Sequence, residues 1–158
     1  MLPKELINLL EKREFISVAT CDFKGHPNAA PKFILKVESA RIYLVDYIIG
    51  TSWRNIKMNP QISMSLIDTR TLRGYQLNGS VKILTRGKLY QKMHKEMMDK
   101  EVRLTTQRII DEVRGQLAHE TFEILISEKF VIFDVKIDEV VEMDIHGQLT
   151  RNRKAWQK

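Results

Sequence analysis

Ten residues in the middle of the chain concentrate polar groups suited to holding an anion: Thr51-Ser52-Trp53-Arg54-Asn55-Ile56-Lys57-Met58-Asn59-Pro60. The Thr-Ser pair supplies a helix N-cap. Asn59-Pro60 closes the segment, because the residue before a proline disfavours the helical region. A short helix over residues 51–59 presents unpaired backbone N–H groups and the positive end of its dipole at its start. Two hydroxyls, a guanidinium one turn on and a side-chain amide stand around that end, the donor set a phosphate monoester requires. An ordinary capped helix with an exposed arginine would use the same residues. The stretch alone does not choose between the two.

The elements around it are short and mostly extended. Residues 2–12 read as a helix, with Pro3 in its first turn and Leu6, Leu9 and Leu10 as an apolar stripe. Residues 15–21 form a strand, and Asp22-Phe23-Lys24-Gly25 a hairpin turn whose glycine takes the positive-φ position. Residues 27–36 return as a strand and residues 41–46 form a third. After the 51–59 helix, Ile62, Met64 and Leu66 alternate as in a half-buried strand. Residues 72–84 form another, in which Gly74 and Gly79 mark a close backbone approach or a bulge. Residues 88–114 are polar and helical, divided by Thr105-Thr106, with Gly115 as a stop. Strands resume over 122–135 and 140–145. About seven short strands and a few helices point to a mainly β fold, a small antiparallel barrel.

Composition narrows the function classes. The chain has 158 residues and one cysteine, with 26 Lys+Arg against 20 Asp+Glu. One domain over residues 1–158 is expected, with a helical insertion at about 88–118. No apolar run approaches the roughly 20 residues that span a bilayer, and no secretory pattern opens the chain, so a cytoplasmic protein with no membrane partner is expected. A lone cysteine excludes an intramolecular disulfide and a cysteine-built zinc site. Of the net +6, Arg151, Arg153, Lys154 and Lys158 hold +4 in the last eight residues, leaving +2 over residues 1–150. A body so near neutral argues against a broad nucleic-acid groove.

Other chemistry-bearing residues have plainer readings. Cys21 and His26 lie across a turn, but a cysteine nucleophile needs a base and an orienting group, so a structural cysteine is expected. His94, His119 and His146 read as surface residues. His119 and Glu123 share an i,i+4 spacing, yet a metal site needs three or four converging ligands, so no metal is expected. Met93, Met97 and Met98 at helical spacing read as core or subunit contact, and Trp53 as packing on the barrel. Trp156, amid the tail cations, could stack on a planar ring, dock on a partner subunit or fray.

The order of segments carries a resemblance. Gly25-His26-Pro27-Asn28-Ala29-Ala30-Pro31-Lys32-Phe33 precedes a strand ending in Asp46-Tyr47. Then come Thr51-Ser52-Trp53-Arg54-Asn55-Ile56 with Asn59-Pro60, and Leu72-Arg73-Gly74-Tyr75-Gln76-Leu77-Asn78-Gly79. This succession, over about residues 1–85, resembles the FMN-binding split-barrel family related to pyridoxamine 5'-phosphate oxidase. The resemblance implies a six-stranded antiparallel Greek-key split barrel and a homodimer with FMN at the subunit interface. Ser52 and Arg54 match the family's phosphate-binding hydroxyl and cation, flanked by Thr51 and Asn55, and Lys32 matches a second phosphate cation. Phe33 and Ile34 would follow the ribityl chain. Asp46, Tyr47 and Ile48 would approach the isoalloxazine edge, and Leu72 and Gly74 would pass the flavin on the next long strand.

The departures concern the substrate. True pyridoxamine phosphate oxidases carry a glutamine where this chain has Gly74, and end in an Arg-x-His-Asp-Arg-like motif. Here the end is Thr150-Arg151-Asn152-Arg153-Lys154-Ala155-Trp156, without a histidine, so that substrate is not expected. Some relatives hold a deazaflavin or haem instead. The expectation is an FMN-dependent oxidoreductase with a small-molecule or nicotinamide electron partner and no nameable catalytic residue. A non-catalytic flavin carrier or sensor is the alternative, and a small nucleic-acid-binding barrel a weaker one.

Overall fold

The computed structural model describes residues 2–47, 49–113 and 130–153. In chain order the elements are α1 (Lys4–Glu11), β1 (Phe15–Cys21), β2 (Pro27–Glu38), β3 (Arg41–Asp46), α2 (Thr51–Met58), β4 (Gln61–Asp68), β5 (Arg73–Leu84), α3 (Lys88–Val113), β6 (Val131–Met143) and β7 (Leu149–Arg153). All pairings are antiparallel. The sheet runs β3-β2-β1-β4-β5-β6-β7, and β3 also pairs with β6. That closing pair turns six strands into the expected barrel, which leaves no open edge among them.

Alternation fills the barrel. Ile16 and Val18 of β1, Ile34 of β2, Leu44 of β3, Met64 of β4, Leu77 of β5 and Phe133 of β6 belong to one buried cluster. Each buried aliphatic of that size contributes about 1.5–3 kcal/mol of transfer free energy. Leu6 and Leu10 of α1 and Ile56 of α2 pack into the same cluster. A second cluster lies under α3, where Met93 and Met97 cover Phe33, Leu35, Tyr43 and Val45. The methionines therefore fill core, while Met98 stays partly exposed.

The split has a local cause. The first half of β6 pairs with β3, from Asp46 opposite Val131 to Arg41 opposite Lys136. Its second half pairs with β7, from Glu139 opposite Arg153 to Met143 opposite Leu149. At the changeover the β5–β6 register slips, with Asn78 opposite Glu139 but Gly79 opposite Ile137. A Cβ on Gly79 would lie 2.2 Å from the Lys136 carbonyl oxygen, so the slip needs a residue without one. Gly25 takes the expected turn position at φ +87°.

Element boundaries differ from expectation in α3, β6 and β7. Helix α3 runs unbroken through Thr105-Thr106, because the Thr106 hydroxyl donates to the Val102 carbonyl at 2.8 Å and is satisfied along the helix. Strand β6 is continuous over residues 136–139, between the two strands expected there, because the bulge absorbs Asp138. Strand β7 takes up part of the expected basic tail. Asp144 builds its hairpin by accepting from the His146 and Gln148 amides at 2.9 Å each. Gly115, His119 and the start of the 122–135 strand lie outside the described residues.

Candidate functional site

Helix α2 has Gly50 as its N-cap, with no side-chain cap bond. Thr51 and Ser52 are therefore the first two helical residues, not the expected cap. The chain enters the helix from Gly50 (φ −124°, ψ −137°), one residue earlier than expected, which leaves both hydroxyls for other partners. Thr51 is exposed, and its Oγ1 accepts from Arg54 Nη2 at 3.1 Å, which draws the guanidinium back over the helix start. Asn59 ends the helix in extended backbone before Pro60, as expected, and its Nδ2 donates to the Cys21 carbonyl at 3.3 Å. Trp53 packs on the barrel cluster, with Lys57 Nζ 4.4 Å from its ring centre.

Ser52 is 3% exposed and faces the β1–β2 hairpin. Its Oγ accepts from Asn28 Nδ2 at 3.0 Å. Asn28 Nδ2 also reaches Thr20 Oγ1 at 3.4 Å, and Asn55 Nδ2 donates to the same oxygen at 3.2 Å. Thr20 and Asn28 are direct cross-strand partners, so the hairpin register places them side by side beneath α2. Neither stands out in the sequence as a site residue. The signal available is the register of the Asp22–Gly25 turn, which pairs them once the hairpin is accepted.

Lys32 sits elsewhere in the wall. Its Nζ donates to Asp46 Oδ1, at the end of β3, at 2.7 Å, with the two residues 5% and 2% exposed. Its charge is spent inside the barrel wall. Phe33 and Tyr47 face outward, beneath α3. Phe33 packs edge-on to Phe15 at 5.7 Å and to Tyr47 at 6.2 Å. The Tyr47 hydroxyl donates to the buried Glu101 carboxylate. Burial first, and that bond second, push the Tyr47 phenol well above its ordinary range. Ile34 points its side chain into the barrel, while its carbonyl accepts from Lys100 Nζ at 2.6 Å. Burial, then Arg103, pull the Lys100 ammonium below the usual lysine value. Lys100 and Glu101 carry no signal in the sequence either, since only tertiary packing brings α3 onto β2 and β3. Ile48 lies outside the described residues.

Leu72 and Gly74 occupy a third region. Leu72 precedes β5 in a turn at φ +56°, not in the strand where it is expected. Asp68 holds that turn by accepting from the Arg70 amide and the Thr71 hydroxyl. Gly74 opens a surface groove of about 600 Å³ with Phe15, Ser17, Ser65, Gln76 and Met143. The structure thus joins Ser52 and Asn55 in one network, Thr51 with Arg54, Lys32 with Asp46, and Phe33 with Tyr47.

The histidines divide. His94 is half-buried, not a surface residue, and packs on Phe130 at 5.1 Å and Tyr90 at 5.9 Å. His146 is exposed, and His26 is exposed and bonded to Asp22. Among the described residues no three His, Cys, Asp or Glu side chains gather as metal ligands. No helix there is long and apolar enough to cross a membrane.

A family profile, pyridoxamine 5'-phosphate oxidase, matches residues 2–141. The chain belongs to that family. No curated protein matches it. Solved structures share its fold. A Clostridium acetobutylicum protein related to general stress protein 26 of B. subtilis, of the pyridoxinephosphate oxidase family, superposes with a TM-score of 0.65. It is 17% identical, over 94% of this chain and 92% of that one. A pyridoxamine 5'-phosphate oxidase-related, FMN-binding protein from Nostoc punctiforme gives 0.60 at 12% identity, over 100% and 94%. HutZ, the haem storage protein of Vibrio cholerae, gives 0.54 at 16% identity, over 93% and 99%. At these identities the likeness concerns the fold.

Proposed function

We propose that this member of the family binds FMN and is an oxidoreductase that uses it as cofactor. The observation that carries the reading is the start of α2, where a buried serine hydroxyl, the first helical N–H groups and an exposed arginine held by Thr51 stand together. Those donors fit a phosphate monoester. In this reading Ser52 and Arg54 hold the phosphate, with Thr51 and Asn55 supporting them. Lys32, paired with Asp46, contributes to the field of the wall more than to direct contact. Phe33 and Tyr47, covered by α3, back the wall from its outer side and do not line an open face, and Gly74 leaves room beside β5. The cofactor, when bound, supplies the electron chemistry, and the protein's part is to bind and orient it. The other half of the site would come from a second copy of the chain.

The purified protein should be yellow or turn yellow with added FMN, and Arg54→Ala should weaken FMN binding about tenfold or more, as expected for a charge-assisted contact. Lys57→Ala should change it less than twofold, because Lys57 lies over Trp53. A colourless protein indifferent to FMN sinks the reading. HutZ makes haem the competing cargo, and the released chromophore decides between them. Oxidation of a reduced nicotinamide with any acceptor separates an enzyme from a non-catalytic carrier or sensor.

A further inference from the structure

We infer that Asn28, held by Thr20, is the positioning residue that makes Ser52 a hydrogen-bond donor toward the bound phosphate. The inference rests on the reading that the start of α2 takes a phosphate, and adds residues which that reading does not use.

The direction of each bond in the network follows from Thr20. Its single hydrogen has the Asn28 backbone carbonyl, a long contact at 3.5 Å, as its outlet, and its two lone pairs accept from the side-chain nitrogens of Asn55, at 3.2 Å, and Asn28, at 3.4 Å. That contact requires Asn28 to present its NH2 and not its oxygen. The second hydrogen of the same NH2 points at Ser52 Oγ, 3.0 Å away. Ser52 must accept. Accepting is its one side-chain hydrogen bond among the described residues, so its own hydrogen remains to be given. Ser52 is 3% exposed, and a hydroxyl hydrogen at that depth goes to an acceptor or costs free energy. An acceptor-only ligand such as a phosphate oxygen is the complement.

Asn28→Asp is nearly isosteric and inverts the logic. A carboxylate can only accept, so Ser52 would turn its hydrogen inward, and a negative charge would face the phosphate. Asn28→Ala and Thr20→Val remove the orientation without adding charge. Asn28 is only half-buried, so its replacement leaves the barrel core intact.

The experiment compares equilibrium affinities for FMN and for riboflavin, the same ring and side chain without phosphate, in all four proteins. The ratio of the two reads the phosphate site alone, and riboflavin affinity together with thermal unfolding reports a damaged fold. The wild type should prefer FMN. The preference should fall about 30-fold or more in Asn28→Asp and about three- to tenfold in Asn28→Ala and Thr20→Val, with riboflavin affinity within about twofold throughout. A wild type that binds both flavins equally, or neither, overturns the phosphate reading and this inference with it. A wild type that prefers FMN, with Asn28→Ala and Thr20→Val keeping that preference, overturns the role of Asn28 alone. It does so even if Asn28→Asp loses FMN through its charge.

Discussion

Lys32 and Asp46 show how the same residue types mean different things at different depths. On a strand read from sequence, a lysine after a proline is a cation offered to a ligand. In the fold it faces a carboxylate 2.7 Å away, and both are nearly excluded from water. Two charges so placed hold each other, because removing either leaves the other buried and unpaired. Asp46→Asn should therefore lower unfolding free energy by about 3 kcal/mol, read as a lower urea midpoint with unchanged slope. A midpoint within error of wild type would show that the pair is not buried in solution. Arg54 presents the opposite case, an exposed guanidinium whose one partner among the described residues is Thr51, open to a ligand.

At the scale of elements, α3 is the least expected contributor. Its Met93 and Met97 supply apolar cover, and its polar side chains fasten it turn by turn. Glu96 meets Lys36 at 3.1 Å, Lys100 meets the Ile34 carbonyl, Glu101 meets Tyr47, and Arg108 meets Glu14. The Tyr47 phenol is raised, so the folded state favours its neutral form. The stability this gives is complete below the ordinary tyrosine value near 10 and is lost as pH climbs from there through the raised value. The tyrosinate absorbance of the native protein should contain one phenol that ionises after the others, and Tyr47→Phe should remove that last step. Tyr47→Phe should also cost about 1–3 kcal/mol, since the buried Glu101 carboxylate loses a donor. If the late step persists in Tyr47→Phe, another tyrosine is its source.

For the whole molecule, charge and apolar surface both have addresses. Arg151 and Arg153 of β7 reach Glu139, at 3.6 and 2.6 Å, and Glu139 also accepts from Asn78 at 2.6 Å. These contacts, led by Arg153 and then Asn78, hold the Glu139 carboxyl below its ordinary range. Half of the cationic tail is thus the partner of one acid on the barrel wall. The outer face of the barrel carries large exposed side chains, Phe15, Ile67, Met143 and Leu149, about the groove that Gly74 opens. An apolar face of this kind suits contact with another protein surface, and the proposed homodimer would cover it. The chain should sediment as a dimer, and Ile67→Glu should shift it toward monomer. A wild-type monomer at tens of micromolar would remove the second copy from the site.

How much of this was legible follows from the range of the interactions. Strands β1 and β3, the hairpin glycine and the Asn59-Pro60 stop depend on neighbours a few residues away, and alternation and turn chemistry marked them. The ordered run from Gly25 to Gly79 carried the barrel and the family, because local signals in sequence constrain which strands can pair. The sequence also placed the donors of α2 on one short helix. Only the tertiary structure decided how they are used. Asp46 claimed Lys32, α2 settled on the β1–β2 hairpin so that Ser52 meets Asn28 and Asn55 meets Thr20, and α3 closed over Phe33 and Tyr47. Each of these joins residues distant in sequence, or depends on whether a polar group is in water or out of it. Burial and partner choice belong to the closed barrel as a whole, so no local pattern of residue types could have stated them.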